Sequence, residues 1–260
     1  MPIKNYHRPA DWDSARAALR ESKPLLLGPR VAIPPYGDAD SLTDLSRLEL
    51  NYIKTDSQIH IGALTPLQAI AESTEVGALL NEAARLTAHY GLRNVATLGG
   101  LLLAPEGPPE ILLTLLVLDA TLVIHGDSSR ELPIANYSLN QGEIITEVKF
   151  SPPTGKTALE RVTRTPRDEA IVAVAVALRA EAGLCRAVKL AVAGAGPRPL
   201  CVQSVENTLV GQPLNASTIA EAAAAVEAVV NPANDYKASA DYRRAMASVL
   251  TRRALQKLHA

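Results

Sequence analysis

The chain has 260 residues, 47% of them hydrophobic and 20% charged, which is enough apolar content for a buried core and too much for a disordered chain. Lysine plus arginine number 26 against 27 aspartate plus glutamate, and the formal charge of −1 excludes the basic footprint of a nucleic-acid binder. Aromatic residues are scarce, one Trp, one Phe and seven Tyr, so the core must be aliphatic and few flat faces exist for stacking bases or planar cofactors.

In chain order, Trp12, Ala15, Ala18 and Leu19 share one side of a helix over residues 11–21. Leu25–Leu27 reads as a strand running into the turn residues Gly28-Pro29. A loop rich in Pro, Gly and Asp follows over 31–41, then short strands at Leu42–Leu45, Tyr52–Lys54 and Gln58–Ile61, the last two joined at Asp56-Ser57 as a hairpin. Thr65-Pro66 reads as an N-cap and first helical residue for a helix to about Glu72. A second helix spans about Leu79–His89, and Arg93–Gly100 reads as a loop. Pro109–Leu118 is apolar and helical, Ala120–His125 and Arg130–Pro133 alternate as strands about Gly126-Asp127, and Ile144–Phe150 is a strand ended by Pro152-Pro153. Ile171–Ala180 and Cys185–Ala193 flank Gly183 and read as a long hairpin, although their valine and alanine content also suits helix. Residues 199–210, 217–230 and 239–258 read as three helices, broken at Gly211-Gln212-Pro213 and Asn231-Pro232.

Several chemistries find no support. Cys185 and Cys201 form no C-x-x-C pair, so neither a zinc knuckle nor an iron–sulfur site is expected. The five histidines show no i,i+4 pair, and no G-x-S-x-G is present. Met1–Tyr6 lacks a charged start followed by an apolar run, and the longest apolar stretch, Ile111–Ile124, is too short to span a bilayer. The expectation is a cytoplasmic protein without a membrane span. Thr154-Gly155-Lys156-Thr157 imitates the end of a P-loop, but Phe150 stands where the first glycine is needed and Pro152-Pro153 remove amide donors. Gly194-Ala195-Gly196 lacks the third glycine of a dinucleotide fingerprint, a position held by Pro199.

One constellation carries more. Asn94-Val95-Ala96-Thr97-Leu98-Gly99-Gly100 pairs a hydroxyl with two adjacent glycines, beside Arg93 and upstream of a helix start near Pro109. Glycine backbone can approach a ligand closely and aim its N–H groups at an anion, which suits a pyrophosphate.

Leu92–Gly100 resembles the I-R-N-x-x-T-I-G-G-N loop of the FAD-binding medium subunit of molybdenum hydroxylases, the carbon monoxide dehydrogenase and xanthine dehydrogenase relatives. Met1–Trp12 resembles that family's opening, with Tyr-x-x-Pro before the first helix, and Ile59–Thr65 resembles its I-G-A-x-T step. Leu115–Ala120 resembles L-x-A-L-D-A, Pro197–Gly211 resembles P-x-R-x-x-x-x-E-x-x-L-x-G, and Ala238–Arg244 resembles S-A-x-Y-R-R. The likeness runs through nearly the whole chain in order. It implies a mixed α/β (α+β) fold: an FAD-binding domain over 1–155, made of two α/β subdomains at about 1–54 and 55–155, and a C-terminal flavoprotein domain over 156–260 with a small antiparallel sheet and helices. It implies FAD as cofactor, a large molybdenum-cofactor subunit and a small 2Fe-2S subunit as partners, and electron transfer from their clusters to an external acceptor, an oxidoreductase role needing no acid–base side chain.

The same resemblance places cofactor contacts at Thr97, Leu98, Gly99, Gly100 and Leu101, at Gly28, Pro29, Arg30 and Val31, and at Glu110. At three of these the sequence departs from the family pattern. Pro29 replaces a phosphate-loop glycine and Val31 a serine, while Leu101 follows Gly100 where Asn or Gly is usual. Arg30 can compensate by pairing with phosphate. Leu159 stands where relatives offer an aromatic side chain to the flavin. Two readings stay open: a subunit that holds FAD, and a scaffold or assembly subunit that has lost it.

Overall fold

The structure, a computed structural model, describes residues 4–20, 24–27, 41–103, 108–136, 138–140, 142–166 and 168–259. The described chain falls into two compact units that are discontinuous in sequence: 1–76, 90–107 and 120–151 form the first, and 77–89, 108–119 and 152–260 the second. Two stretches from the middle of the chain, 77–89 and 108–119, thus go with their helices to the second unit.

The first unit holds two sheets. β1 (Asn5–His7), β2 (Pro24–Leu27) and β3 (Ser41–Asp44) form a parallel sheet in the order β1-β3-β2, with α1 (Trp12–Arg20) as the crossover between the outer strands. Parallel neighbours need such a crossover because a tight turn cannot reverse the chain twice. α1 buries Ala15 and Leu19 against Leu45 and Ile144, and the Trp12 ring packs on His125 at a 41° tilt with ring centroids 4.2 Å apart. The second sheet is antiparallel, in the order β4-β5-β8-β6-β7, from β4 (Ile53–Thr55), β5 (Ile59–Gly62), β6 (Thr121–His125), β7 (Ser129–Pro133) and β8 (Ile144–Phe150). Its strands alternate: Ile59, Ile61, Leu122, Val148 and Phe150 are buried, while His60, Glu147 and Lys149 lie on the other face. The short helices α2 (Leu67–Glu72), α4 (Tyr90–Arg93) and α5 (Leu98–Leu102) complete this unit.

The second unit is a four-stranded antiparallel sheet, β12-β11-β10-β9, between two helical layers. Its strands are β9 (Lys156–Val162), β10 (Val172–Glu181), β11 (Leu184–Ala193) and β12 (Leu200–Cys201). β10 reads Val-Ala-Val-Ala-Val-Ala, which sorts valine to one face and alanine to the other. Val172, Val174, Val176 and Leu178 pack with α7 (Gln203–Leu209), α8 (Ala216–Val229) and α9 (Ala240–His259) in one continuous core. The opposite face is nearly all alanine, Ala173 and Ala175 facing Ala193 and Ala191 across the ladder, and all four are fully buried. The apolar helix α6 (Glu110–Val117) packs on β10 and β11, and α3 (Ala78–Thr87) packs on α6 and β9. Methyl side chains let a helix axis come close to the sheet without leaving voids.

The hairpin over Ile171–Ala193 is therefore the correct alternative, and its turn uses positive φ at both Ala182 (52°) and Gly183 (77°), as a right-twisted hairpin demands. Three expectations are corrected. Thr65 does not cap α2; its hydroxyl donates to the Tyr52 carbonyl and accepts from the Tyr52 amide, and Pro66 precedes the helix without a side-chain cap. The Arg93–Gly100 stretch is a loop only over 94–97: Arg93 ends α4 and Leu98–Gly100 open α5. The helix expected from residue 199 starts at Gln203, because Leu200–Cys201 adds an edge strand to β11.

Candidate functional site

The Thr97 segment is built by a bend that clamps it to the end of β5. Gly62 sits against Tyr52 and Leu50; a Cβ there would lie 2.2 Å from the Leu50 carbonyl oxygen, so only glycine fits. The chain then turns through Ala63–Pro66 and pairs with Ala96–Leu98: the Leu67 amide donates to the Ala96 carbonyl and the Leu98 amide to the Thr65 carbonyl. Gly99 packs on Ala63, where a Cβ would stand 2.9 Å from the Ala63 methyl.

The donors of this segment are spent inside the unit. The Leu98 amide reaches Thr65 O at 3.1 Å, Gly99 reaches Ala63 O at 2.7 Å, Gly100 reaches Thr97 Oγ1 at 3.2 Å and Leu101 reaches Thr97 O at 3.0 Å. Thr97 is the N-cap of α5, and the two glycines are its second and third residues rather than a cradle. Thr97, Leu98, Gly99, Gly100 and Leu101 are all buried. Toward a dinucleotide, these residues offer the Thr97 hydroxyl hydrogen, which no bond among the described residues uses, and no set of waiting amides. Gly28, Pro29, Arg30 and Val31 lie outside the described residues.

Glu110 belongs to the second unit, at the start of α6. It is 0% exposed and its Oε1 accepts from Arg161 Nη1 at 2.8 Å. Burial pushes its pKa up, opposed by its own backbone N–H and by Arg161. Arg161 also donates to the carbonyls of Leu86, Asp168 and Pro166, so one guanidinium ties α3, α6 and the segment after β9 together. Glu110 Oε2 and Thr114 Oγ1, one helical turn apart, have no hydrogen-bond partner among the described residues. Glu110 thus acts as the anchor of Arg161. Leu159, the position considered for a flavin neighbour, is buried opposite Ala175 on the alanine face.

A cluster the sequence reading missed lies on the polar face of the five-stranded sheet. His60 Nδ1 is 2.9 Å from Glu147 Oε1, its Nε2 is 3.4 Å from Asp56 Oδ1, and the Tyr52 hydroxyl donates to Glu147 Oε2 at 2.7 Å. The Glu147 hydrogen bond, with both carboxylate charges, raises the His60 pKa against the opposing effect of burial. Pairing of β5 with β8 brings His60 and Glu147 together from 87 residues apart, a distance no local pattern reveals. Among the described residues no group of three or more His, Cys, Asp and Glu side chains is arranged to hold a metal ion, and no helix is long and apolar enough to cross a membrane.

The family described as the FAD binding domain in molybdopterin dehydrogenase matches residues 3–152, and that of the CO dehydrogenase flavoprotein C-terminal domain matches 157–258. The chain belongs to the FAD-binding medium subunit family of molybdenum hydroxylases. It is 30% identical over 243 residues to the glyceraldehyde dehydrogenase medium chain of Sulfolobus acidocaldarius, covering 88% of this chain and 85% of that one. It is 28% identical to the carbon monoxide dehydrogenase medium chain of Afipia carboxidovorans, covering 98% and 96%. A solved carbon monoxide dehydrogenase from Hydrogenophaga pseudoflava superposes with a TM-score of 0.88 at 28% identity, over 98% of this chain and 96% of that one.

Proposed function

We propose that this chain is the flavin-carrying, electron-transfer subunit of a molybdenum hydroxylase-type oxidoreductase. Its partners are then a large molybdenum-cofactor subunit and a small 2Fe-2S subunit in the cytoplasm. The observation that carries this reading is the match of residues 3–152 to the FAD-binding domain family, with the Thr97-capped turn held in place by Gly62 and Ala63. FAD, when bound, supplies the redox chemistry. The chain's own part is to hold the nucleotide rigidly: the Thr97 hydroxyl is the described donor, and Arg30 with Gly28 supplies charge and backbone in this reading.

A second reading is favoured by the same geometry. All four amides from Leu98 to Leu101 have acceptors within the chain, so this turn needs no ligand to satisfy its donors, as an assembly subunit would require. The visible spectrum of the purified chain, before and after titration with FAD, separates the two. Flavin bands that survive gel filtration support the first reading. A colourless protein that gains no bound flavin at saturating FAD overturns it in favour of the second.

A further inference from the structure

The polar face of the five-stranded sheet carries a cluster that the proposed function leaves unused, and its strands are the ones that seat the Thr97 turn. His60 lies directly across from Lys54 on β4 and from Lys149 on β8. Lys149 is tied to Glu131 of β7 at 2.7 Å, and the Lys54 ammonium lies 4.6 Å from the centre of the Tyr52 ring. β6 adds Thr121 and Val123 to this face and no charge. The partners of His60 are both acidic, Glu147 of β8 at 2.9 Å and Asp56 of the β4–β5 turn at 3.4 Å. Protonated, the imidazole donates from both nitrogens and ties β8 to that turn. Neutral, it keeps one N–H, and the other nitrogen sets a lone pair against a carboxylate. Histidine is the side chain that makes this exchange near neutral pH. Burial and the Glu147 carboxylate push the Tyr52 hydroxyl up from its ordinary value, so it goes on donating to Glu147 in either state of His60.

The corner after β5 hangs on the same neighbours. The Gly62 amide donates to the Tyr52 carbonyl at 3.0 Å, and the Thr65 hydroxyl bonds both backbone groups of Tyr52. The Ala63 amide donates at 2.9 Å to the carbonyl of Thr146, the residue before Glu147. Ala63 and Thr65 in turn supply the carbonyls that accept from Gly99 and Leu98. A loosened β4–β5 hairpin therefore shifts the acceptors on which the turn depends. We propose that the proton on His60 sets how firmly the Thr97 turn is held, a latch that is closed when the imidazole is charged and slackens when it is neutral. All of its parts lie in the first compact unit. In a chain that carries FAD, a consequence that rests on the first functional reading above, the latch also tunes the grip on the nucleotide. Its own test needs no flavin.

Amide hydrogen exchange of the full chain, followed by NMR from about pH 5.5 to about pH 9 and corrected for intrinsic rates, tests it. Protection of the Leu98 and Gly99 amides is expected to fall by about threefold or more, centred on the pH at which the His60 ring signals titrate. Val174 and Val192, in the second unit, are expected to keep constant protection. His60→Gln keeps a side-chain donor but takes no charge, and is expected to show the high-pH level of Leu98 and Gly99 protection at every pH. The proposal is overturned if that protection is flat with pH in the unsubstituted chain, or if it falls equally in His60→Gln. A parallel fall at Val174 and Val192 overturns it as well, since it would mark global unfolding in place of a local latch.

Discussion

His60 shows how one side chain reports on the pairing of distant strands. Its partners, Glu147 and Asp56, stabilise the imidazolium and raise the pKa in the folded state above the ordinary histidine value of about 6.5. The contribution to stability is therefore complete below the unfolded value and is lost as pH rises through the higher folded value. His60→Gln is expected to cost more stability at pH 5.5–6 than at pH 9 in urea unfolding, and a difference of zero between the two would show the pairing to be idle. Glycine gives a second contrast at this scale. At Gly194 φ is +73° and a Cβ would meet the Ile171 carbonyl oxygen at 2.0 Å, whereas Gly99 has only the Ala63 methyl and carbonyl at 2.9 and 3.0 Å to displace. Gly194→Ala is expected to destabilise by roughly 3 kcal/mol or more and Gly99→Ala by roughly 1–2 kcal/mol, measured by the shift of the urea midpoint.

Among the elements, α5 depends on its cap and α6 on its anchor. Thr97→Val keeps the shape but removes the oxygen that accepts from the buried Gly100 amide, and is expected to cost about 1 kcal/mol, with Thr97→Ser close to wild type. If the first functional reading holds, the same valine variant also loses FAD affinity in the titration, while serine retains it. At α6, removing Arg161 leaves Glu110 buried without its counter-charge. Arg161→Met is expected to destabilise by about 3 kcal/mol, and adding Glu110→Leu should recover most of that, because the desolvation cost disappears along with the attraction. A double variant no better than the single one would show that the carbonyl bonds of Arg161, rather than the ion pair, hold the elements together. In the helical layer opposite, Arg243 donates to the carbonyls of Ile171 and Gly194 and pairs bidentately with Asp235, whose pKa it holds down to about 2. That pairing persists through mild acid and is lost only as pH falls through that value.

For the molecule as a whole, the second unit borrows α3 and α6 from the middle of the sequence. They cover the alanine face of its sheet, while α7, α8 and α9 cover the valine face. A fragment of residues 152–260 keeps one helical layer and loses the other. It is expected to unfold in urea with a broad, weakly cooperative transition by circular dichroism, since the faces of Ala173, Ala175, Ala191 and Ala193 and of Leu159 are opened to water. A steep transition like that of the full chain would show that the alanine face needs no cover.

Elements whose signal is local, and the family that orders them, were legible in the residues alone. Alternation marked the strands at Ala120–His125 and Arg130–Pro133, and the turns at Asp56-Ser57 and Gly126-Asp127 pointed to two hairpins, because side-chain period and turn chemistry act over a few residues. Motifs spread from Met1 to Arg244 identified the medium-subunit family. Relations between distant segments came instead from packing. Val-Ala alternation fits helix or strand until both faces are seen to be covered. β9 and β12 are strands because their partners accept them, and Thr65 caps nothing because Tyr52, 13 residues away, takes its hydroxyl. The same holds for the candidate site. Thr97-Leu98-Gly99-Gly100 reads as a phosphate cradle when its amides are counted as free, and as a capped, packed turn once Ala63 and Thr65 supply their acceptors. A backbone donor commits to whichever acceptor the fold brings within reach, and that acceptor is set by packing far along the chain.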